Sequence, residues 1–180
     1  MNSQLIDFDY IPRYIQDRVM DALPVSIKRI IPSNFRPHKI QLGLCCINTK
    51  LRKHDIFCSR TMILRTIREK GIEELKHRAL KNVLDLIKLI EWNAANGIRV
   101  LRMSSDIFPH KGNQKAPDYT FDFAHSALVE AGRLARKYKQ RLTFHPGQYN
   151  VVATPDEDKF QRTCVELEWH AIVMDRMGCD

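Results

Sequence analysis

Nowhere in the chain do about 18 uncharged apolar residues run together, so the sequence holds no candidate membrane span. The N-terminus MNSQLIDFDYIPRY carries acidic residues in place of the apolar core of a signal peptide. The five cysteines (Cys45, Cys46, Cys58, Cys164 and Cys179) are odd in number and form no CxxC, which argues against a disulfide framework and for reduced thiols. No HExxH occurs, and neither GxGxxG nor GxxxxGK[ST] follows an apolar segment, which removes the main support for nucleotide binding. The expectation is a soluble, intracellular protein with no membrane partner.

What is present fits one domain. The chain has 180 residues, of which 44% are hydrophobic, enough to build a core. Lys and Arg number 29 against 21 Asp and Glu, a net charge of +8 that suits a polyanionic partner such as nucleic acid. A solvated basic face accounts for that excess equally well, so charge alone does not choose.

Residues 1–39 read as an N-terminal extension, with an amphipathic helix over 11–22 and then an irregular arm broken by Pro24, Pro32 and Pro37. KIQLGLCCIN, residues 39–48, reads as a strand, and TKLRKHDIFCSR as a long loop after it. From Ile72 to Ala94, apolar residues recur at spacings of three and four (Ile72, Leu75, Ala79, Val83, Leu86, Ile90, Ala94), which predicts a long helix closed by Asn96-Gly97. IRVLRM predicts a second strand, residues 121–138 a helix burying Ala124, Leu128, Ala131 and Ala135, and QRLTFH a third strand. A last helix over 157–177 is expected to bury Phe160, Cys164, Leu167, Ala171 and Met174, with Gly178 as its stop.

Strand, loop and helix thus follow one another three times, an α/β plan with parallel strands. An open doubly wound sheet and a (β/α)₈ barrel both satisfy it, although a full barrel needs roughly 250 residues. Either way chemistry collects at the C-terminal ends of the strands, near Asn48, Ser104 and His145. In RLTFH, alternation puts Leu142 and Phe144 on one face and Arg141, Thr143 and His145 on the other. If the apolar face packs on helices, His145 points toward the barrel axis. A histidine there suits metal binding, acid–base chemistry or a hydrogen-bonded structural role. In VLRMSSD, parity puts Asp106 with Arg102 and Ser104 if the strand stays extended, and it is then either a turn former or an oxygen ligand paired with His145 for a divalent ion.

In HPGQYN, Pro146 and Gly147 bend the chain and lift Gln148, Tyr149 and Asn150 above the strand ends. An amide beside an aromatic ring suits a nucleobase, by hydrogen bond to its edge and by stacking, unless Tyr149 packs on its own loop. Lys50, Arg52 and Lys53, with Arg60, Arg65 and Arg68 further on, are candidate phosphate contacts near the first strand end.

The motifs LGLCCIN, EWNAANGIRVLRMSSDIFPH, ALVEAGRLARKYKQRLTFHPGQYNVV and LEWHAIVMDRMG together resemble the UV damage endonuclease family, in order, from about residue 40 onward. The resemblance implies a TIM barrel related to xylose-isomerase-like metal enzymes, residues 40–180 being the N-terminal part of the domain, about three βα units. It implies a DNA repair endonuclease that nicks the backbone 5′ to UV lesions in double-stranded DNA. The implied cofactor is a divalent metal cluster, typically manganese, with magnesium, zinc or cobalt as alternatives. By motif position His145 corresponds to a metal ligand and Asp106 to a ligand-capable residue. Gln148 and Tyr149 match the lesion probe, and Asn48 a DNA-side residue. No catalytic group beyond the metal ligands is indicated within this chain. Leu44 stands where the family usually has an aromatic residue. The family's later strands, with most of its metal ligands and a site lysine, are expected to be missing from this chain, and three strands do not close a barrel. The expected function is therefore this endonuclease, as a short form or completed by a second polypeptide. The alternative is a non-catalytic DNA- or metal-binding remnant.

Overall fold

A computed structural model describes residues 42–179. The chain divides into two units, Met1–Leu42 and Gly43–Asp180, and the described elements all lie in the second. The helix expected over 11–22, the arm to 39 and the start of the strand expected from Lys39 lie outside the described residues.

Three parallel strands, β1 (Gly43–Cys45), β2 (Val100–Ser104) and β3 (Arg141–His145), form a sheet in the order β1-β2-β3. Leu44 pairs with Leu101, Leu101 with Leu142, and Ser104 with His145, so all three strands end on the same side. Sequential parallel neighbours joined by crossover helices are what part of a (β/α) barrel requires. The helices are α1 (Thr49–Arg52), α2 (Leu64–Lys70), α3 (Ile72–Ala95), α4 (His125–Lys137) and α5 (Glu157–Met177). Among the described residues no helix is long and apolar enough to cross a membrane.

The spacing of three and four along α3 buries Leu75, Ala79, Val83, Leu86 and Ile90, as the period of 3.6 demands. Asn96 and Gly97 end this helix, and Gly97 takes the positive φ of 71° that a left-handed cap needs. In α4 the expected face holds: Leu128, Ala131 and Ala135 are buried, and Ala124 just ahead of the helix joins them. Leu101 and Met103 of β2, Leu142 of β3, and Trp169, Val173 and Met177 of α5 complete the same core.

Three expectations change. The strand expected over 39–48 is, within the described residues, only Gly43–Cys45. The run expected as a loop contains α1, because Asn48 accepts hydrogen bonds from the Lys50 and Leu51 amides at 3.0 Å and caps a short helix. In α5 the bounds are those expected but the phase is not. Its buried residues are Thr163, Trp169, His170, Val173 and Met177, whereas Leu167 and Ala171 are exposed. The buried positions 163, 170, 173 and 177, with half-buried Glu166 in line, follow the expected stripe moved back by one position, about 100° of helix rotation, while Phe160, Cys164 and Met174 of the expected stripe are half-buried. Three members of the observed stripe, Thr163, Glu166 and His170, are polar, so hydrophobicity alone selects the wrong face.

Candidate nucleic-acid interface at the strand ends

Position on the strands brings the expected residues to one end of the sheet. Along β3, Leu142 is buried and Phe144 packs against α5, its ring 5.6 Å from Trp169 and 4.1 Å from His170. The opposite face carries Arg141, Thr143 and His145, and His145 is exposed. Its Nδ1 lies 3.4 Å from Cys46 Sγ, which leaves Nε2 without a partner among the described residues. Asp106 follows the strand paired with β3, two residues past Ser104, the register partner of His145. The extended strand that the parity of Asp106 requires is not kept: the chain leaves the extended form at Ser105 and turns through a 3₁₀ helix, Ser105–Ile107. Ser104 Oγ caps that turn by accepting from the Asp106 amide at 3.2 Å. The Asp106 side chain is exposed all the same, and close enough to Cys46 for its charge to act on the thiol.

Cys46 was not singled out by the sequence, yet it sits between these groups. Burial chiefly, then the adjacent Cys45 and the Asp106 charge, push its thiol up to about 11, so it is a neutral neighbour for His145 at physiological pH. Among the described residues no group of three His, Cys, Asp or Glu side chains is placed to hold a metal ion. His145 and Asp106 are thus two donors without a third, too few to fix an ion by themselves.

The HPGQYN loop is held from behind. Glu166 of α5 accepts from the Gly147 amide at 2.8 Å, Thr163 Oγ1 accepts from the Val151 amide at 3.2 Å, and the Asn150 amide closes a turn on the Gly147 carbonyl at 3.0 Å. A braced turn leaves its tip free: Gln148 is exposed and Tyr149 is 79% exposed, which rules out a ring packed on its own loop. Glu166 and Thr163 were missed because a polar residue in the middle of a helix gives no sign of its partner.

The first-strand residues divide. Lys50, Arg52 and Lys53 are exposed, and Arg52 lies over the Phe57 ring at 5.1 Å. Asn48 is buried, its oxygen committed to the α1 cap and its Nδ2 without a partner among the described residues. Arg60 is no free phosphate contact. Its guanidinium pairs with buried Asp85 at 2.7 Å and donates to the Phe57 and Asp55 carbonyls. Arg65 pairs with Glu69 along α2. Asn82, fully buried on α3, bonds the Arg60 backbone at both ends and donates to the carbonyls of Asp106 and Ile107 at 3.2 Å. These polar breaks in the α3 stripe, Asn82 and Asp85, thereby fix the loops that leave β1 and β2.

Fold and site define a class: the strand-end portion of a parallel α/β barrel whose exposed loops carry bases, amides and an aromatic ring. Residues 40–180 match the UV-endonuclease UvdE family, and the chain belongs to it. It is 46% identical over 143 residues to the UV-damage endonuclease of Schizosaccharomyces pombe, covering 78% of this chain and 24% of that protein. With the UV-damage endonuclease of Neurospora crassa it shares 32% identity over 164 residues, 74% of this chain and 25% of the relative. The crystal structure of SacUVDE superimposes with a TM-score of 0.69 at 26% identity, over 77% of this chain and 46% of that one. The chain therefore spans about a quarter of these two curated relatives and less than half of the solved structure.

Proposed function

We propose that the chain is the lesion-reading part of a UV damage endonuclease, acting on UV-damaged double-stranded DNA and nicking it 5′ to the lesion. The observation that carries this reading is Tyr149, 79% exposed beside Gln148 at the tip of a loop that Glu166 and Thr163 brace. A rigid base with a free aromatic tip suits insertion into a duplex weakened by damage, where unstacking is least costly. Lys50, Arg52 and Lys53 lie beyond the first strand and supply charge for phosphates without reading sequence. His145 and Asp106 act as two ligands of a divalent ion, manganese in first place, whose other donors come from outside the described residues. Such an ion would supply a water nucleophile and stabilise phosphoryl oxygens.

The test is a nicking assay with the purified 180-residue chain, Mn²⁺ and UV-irradiated supercoiled plasmid, read against an unirradiated control. Damage-dependent relaxation is the expected result. A second reading, a DNA-binding remnant without cleavage, draws on the missing third metal donor among the described residues. It predicts preferential binding of irradiated DNA with no relaxation. Neither nicking nor preference would overturn both readings. Within either, Tyr149→Ala is expected to weaken binding of a lesion-bearing duplex by about 1–3 kcal/mol, roughly 5- to 150-fold, the worth of one stacked base. Binding of an undamaged duplex should change far less. Equal losses on both duplexes would remove Tyr149 from lesion reading.

A further inference from the structure

Beside the probe loop, a cleft of about 440 Å³ opens between the turn at Lys111–Asn113 and the N-terminal half of α5, with Tyr149 and Asn150 on its rim. Three cationic side chains line it, and they are not equivalent. Lys111 is spent internally, on Asp118 at 2.7 Å and the Tyr119 carbonyl at 2.6 Å. Lys159 has no side-chain partner among the described residues, and Arg162 makes one bond, from Nε to the Asp158 carbonyl at 3.2 Å, which leaves its terminal nitrogens free. Glu166, the carboxylate in the lining, is turned to the Gly147 amide. The free charge of the cleft is therefore positive.

Helix stability does not account for these cations. Asp156 caps α5 by accepting from the Lys159 amide at 3.0 Å, so Lys159 occupies the third helical position, where a capping box would place Glu or Gln. A cation in the first turn also opposes the helix dipole, which Glu157 and Asp158 at the preceding positions complement. A local rule broken without structural gain marks a functional position. Lys159 and Arg162 are three apart and lie on one face with Thr163 and Glu166, the two residues that hold the probe loop. Because α5 follows β3, its N-terminal half lies on the side where the strands end.

We propose that this cleft is a binding site for the sugar-phosphate backbone of DNA, with Lys159 and Arg162 each meeting a phosphate next to the point where Tyr149 enters the duplex. The inference rests on the reading that the chain binds DNA, and adds a contact that the basic run near the first strand does not supply. The site holds the backbone and carries no base specificity, so it acts alike on damaged and undamaged duplexes.

Each phosphate contact releases counterions and contributes about 0.9 to the slope of log K against log salt. Binding of the 180-residue chain to an undamaged 30-base-pair duplex is measured from 50 to 200 mM NaCl. Lys159→Gln with Arg162→Gln is expected to lower the slope by about 2 and to weaken binding roughly 50-fold near 0.1 M salt. Lys137→Gln with Lys139→Asn, where α4 ends and leads into the start of β3, removes the same charge and should leave the slope unchanged. Circular dichroism melts verify that both variants are folded. An unchanged slope in the cleft variant overturns the backbone site while DNA binding stands. Equal slope losses in the two variants reduce the effect to net charge and overturn the site as well. Absence of salt-dependent binding by the unaltered chain overturns the site and the DNA reading together.

Discussion

Replacing Gly132 by alanine is expected to destabilise the protein by roughly 3–5 kcal/mol, although glycine-to-alanine inside a helix ordinarily stabilises by about 1 kcal/mol. Gly132 lies within α4, where its backbone meets the end of α5. A β-carbon there would stand 1.7 Å from the Met177 carbonyl oxygen and 2.6 Å from its carbon. Both atoms are backbone, so no rotamer change relieves the clash. The end of α5 is also pinned: Arg136, one turn further along α4, donates to the carbonyls of Met177 and Gly178 at 2.7 and 2.6 Å. Gly178 closes α5 in the left-handed conformation at φ 62°. Relief therefore requires α5 to move away from α4, and α5 carries Thr163 and Glu166, the supports of the HPGQYN loop. Urea unfolding monitored by circular dichroism checks the magnitude, with exposed Ser126→Ala on the same helix as a control expected within about 0.5 kcal/mol of the unaltered chain. A Gly132→Ala protein as stable as the original would disprove the close α4–α5 contact.

Acidification is expected to weaken the fold through His170. This ring is 5% exposed, stacked on Phe144 at 4.1 Å with 12° between planes, and both ring nitrogens lack partners among the described residues. Burial lowers its pKa to about 4, against a smaller opposing pull from Glu166. The folded value thus lies below the unfolded one of about 6.5, so the unfolded chain binds the proton first. Stability is complete above about pH 6.5, falls as pH drops below that value, and levels off below about pH 4. The loss attributable to His170 is about 2 kcal/mol at pH 5 and approaches roughly 3 kcal/mol at the acid end. His170→Phe keeps a flat ring against Phe144 and removes the titration. It should be at least as stable as the unaltered chain at pH 7.5, since two unpaired polar atoms disappear, and clearly more stable at pH 5. Parallel stability profiles for the two proteins between pH 7.5 and 5 would show that His170 is not the titrating group.

Both predictions concern α5, where sequence and structure part most clearly. Residues 157–177 are helical as the pattern requires, and Gly178 is the stop. The face differs because Thr163, Glu166 and His170 point inward for reasons that lie elsewhere: a loop amide, a second loop amide and an aromatic ring on β3. The α3 stripe shows the same effect more mildly. Its apolar members were legible, while Asn82 and Asp85 among them gained meaning only when the 55–60 and 106–107 segments came beside them. Among the site residues, Tyr149 could be placed at a loop tip from Pro146-Gly147 alone, but its freedom from packing could not. Arg60 read as a surface charge and is a buried partner of Asp85. Lys159 and Arg162 drew no notice in the sequence, and they line a cleft beside the probe.

The sequence by itself determined the alternation of three strands with three long helices, the periods of those elements and the turn at Pro146-Gly147. Those follow from hydrogen bonding and side-chain geometry within a few residues of each position. Only the tertiary structure decided the phase of α5, the charges left free, and the close approach of Gly132 to Met177. Each of these depends on what a residue meets across the fold, and neither period nor composition records that.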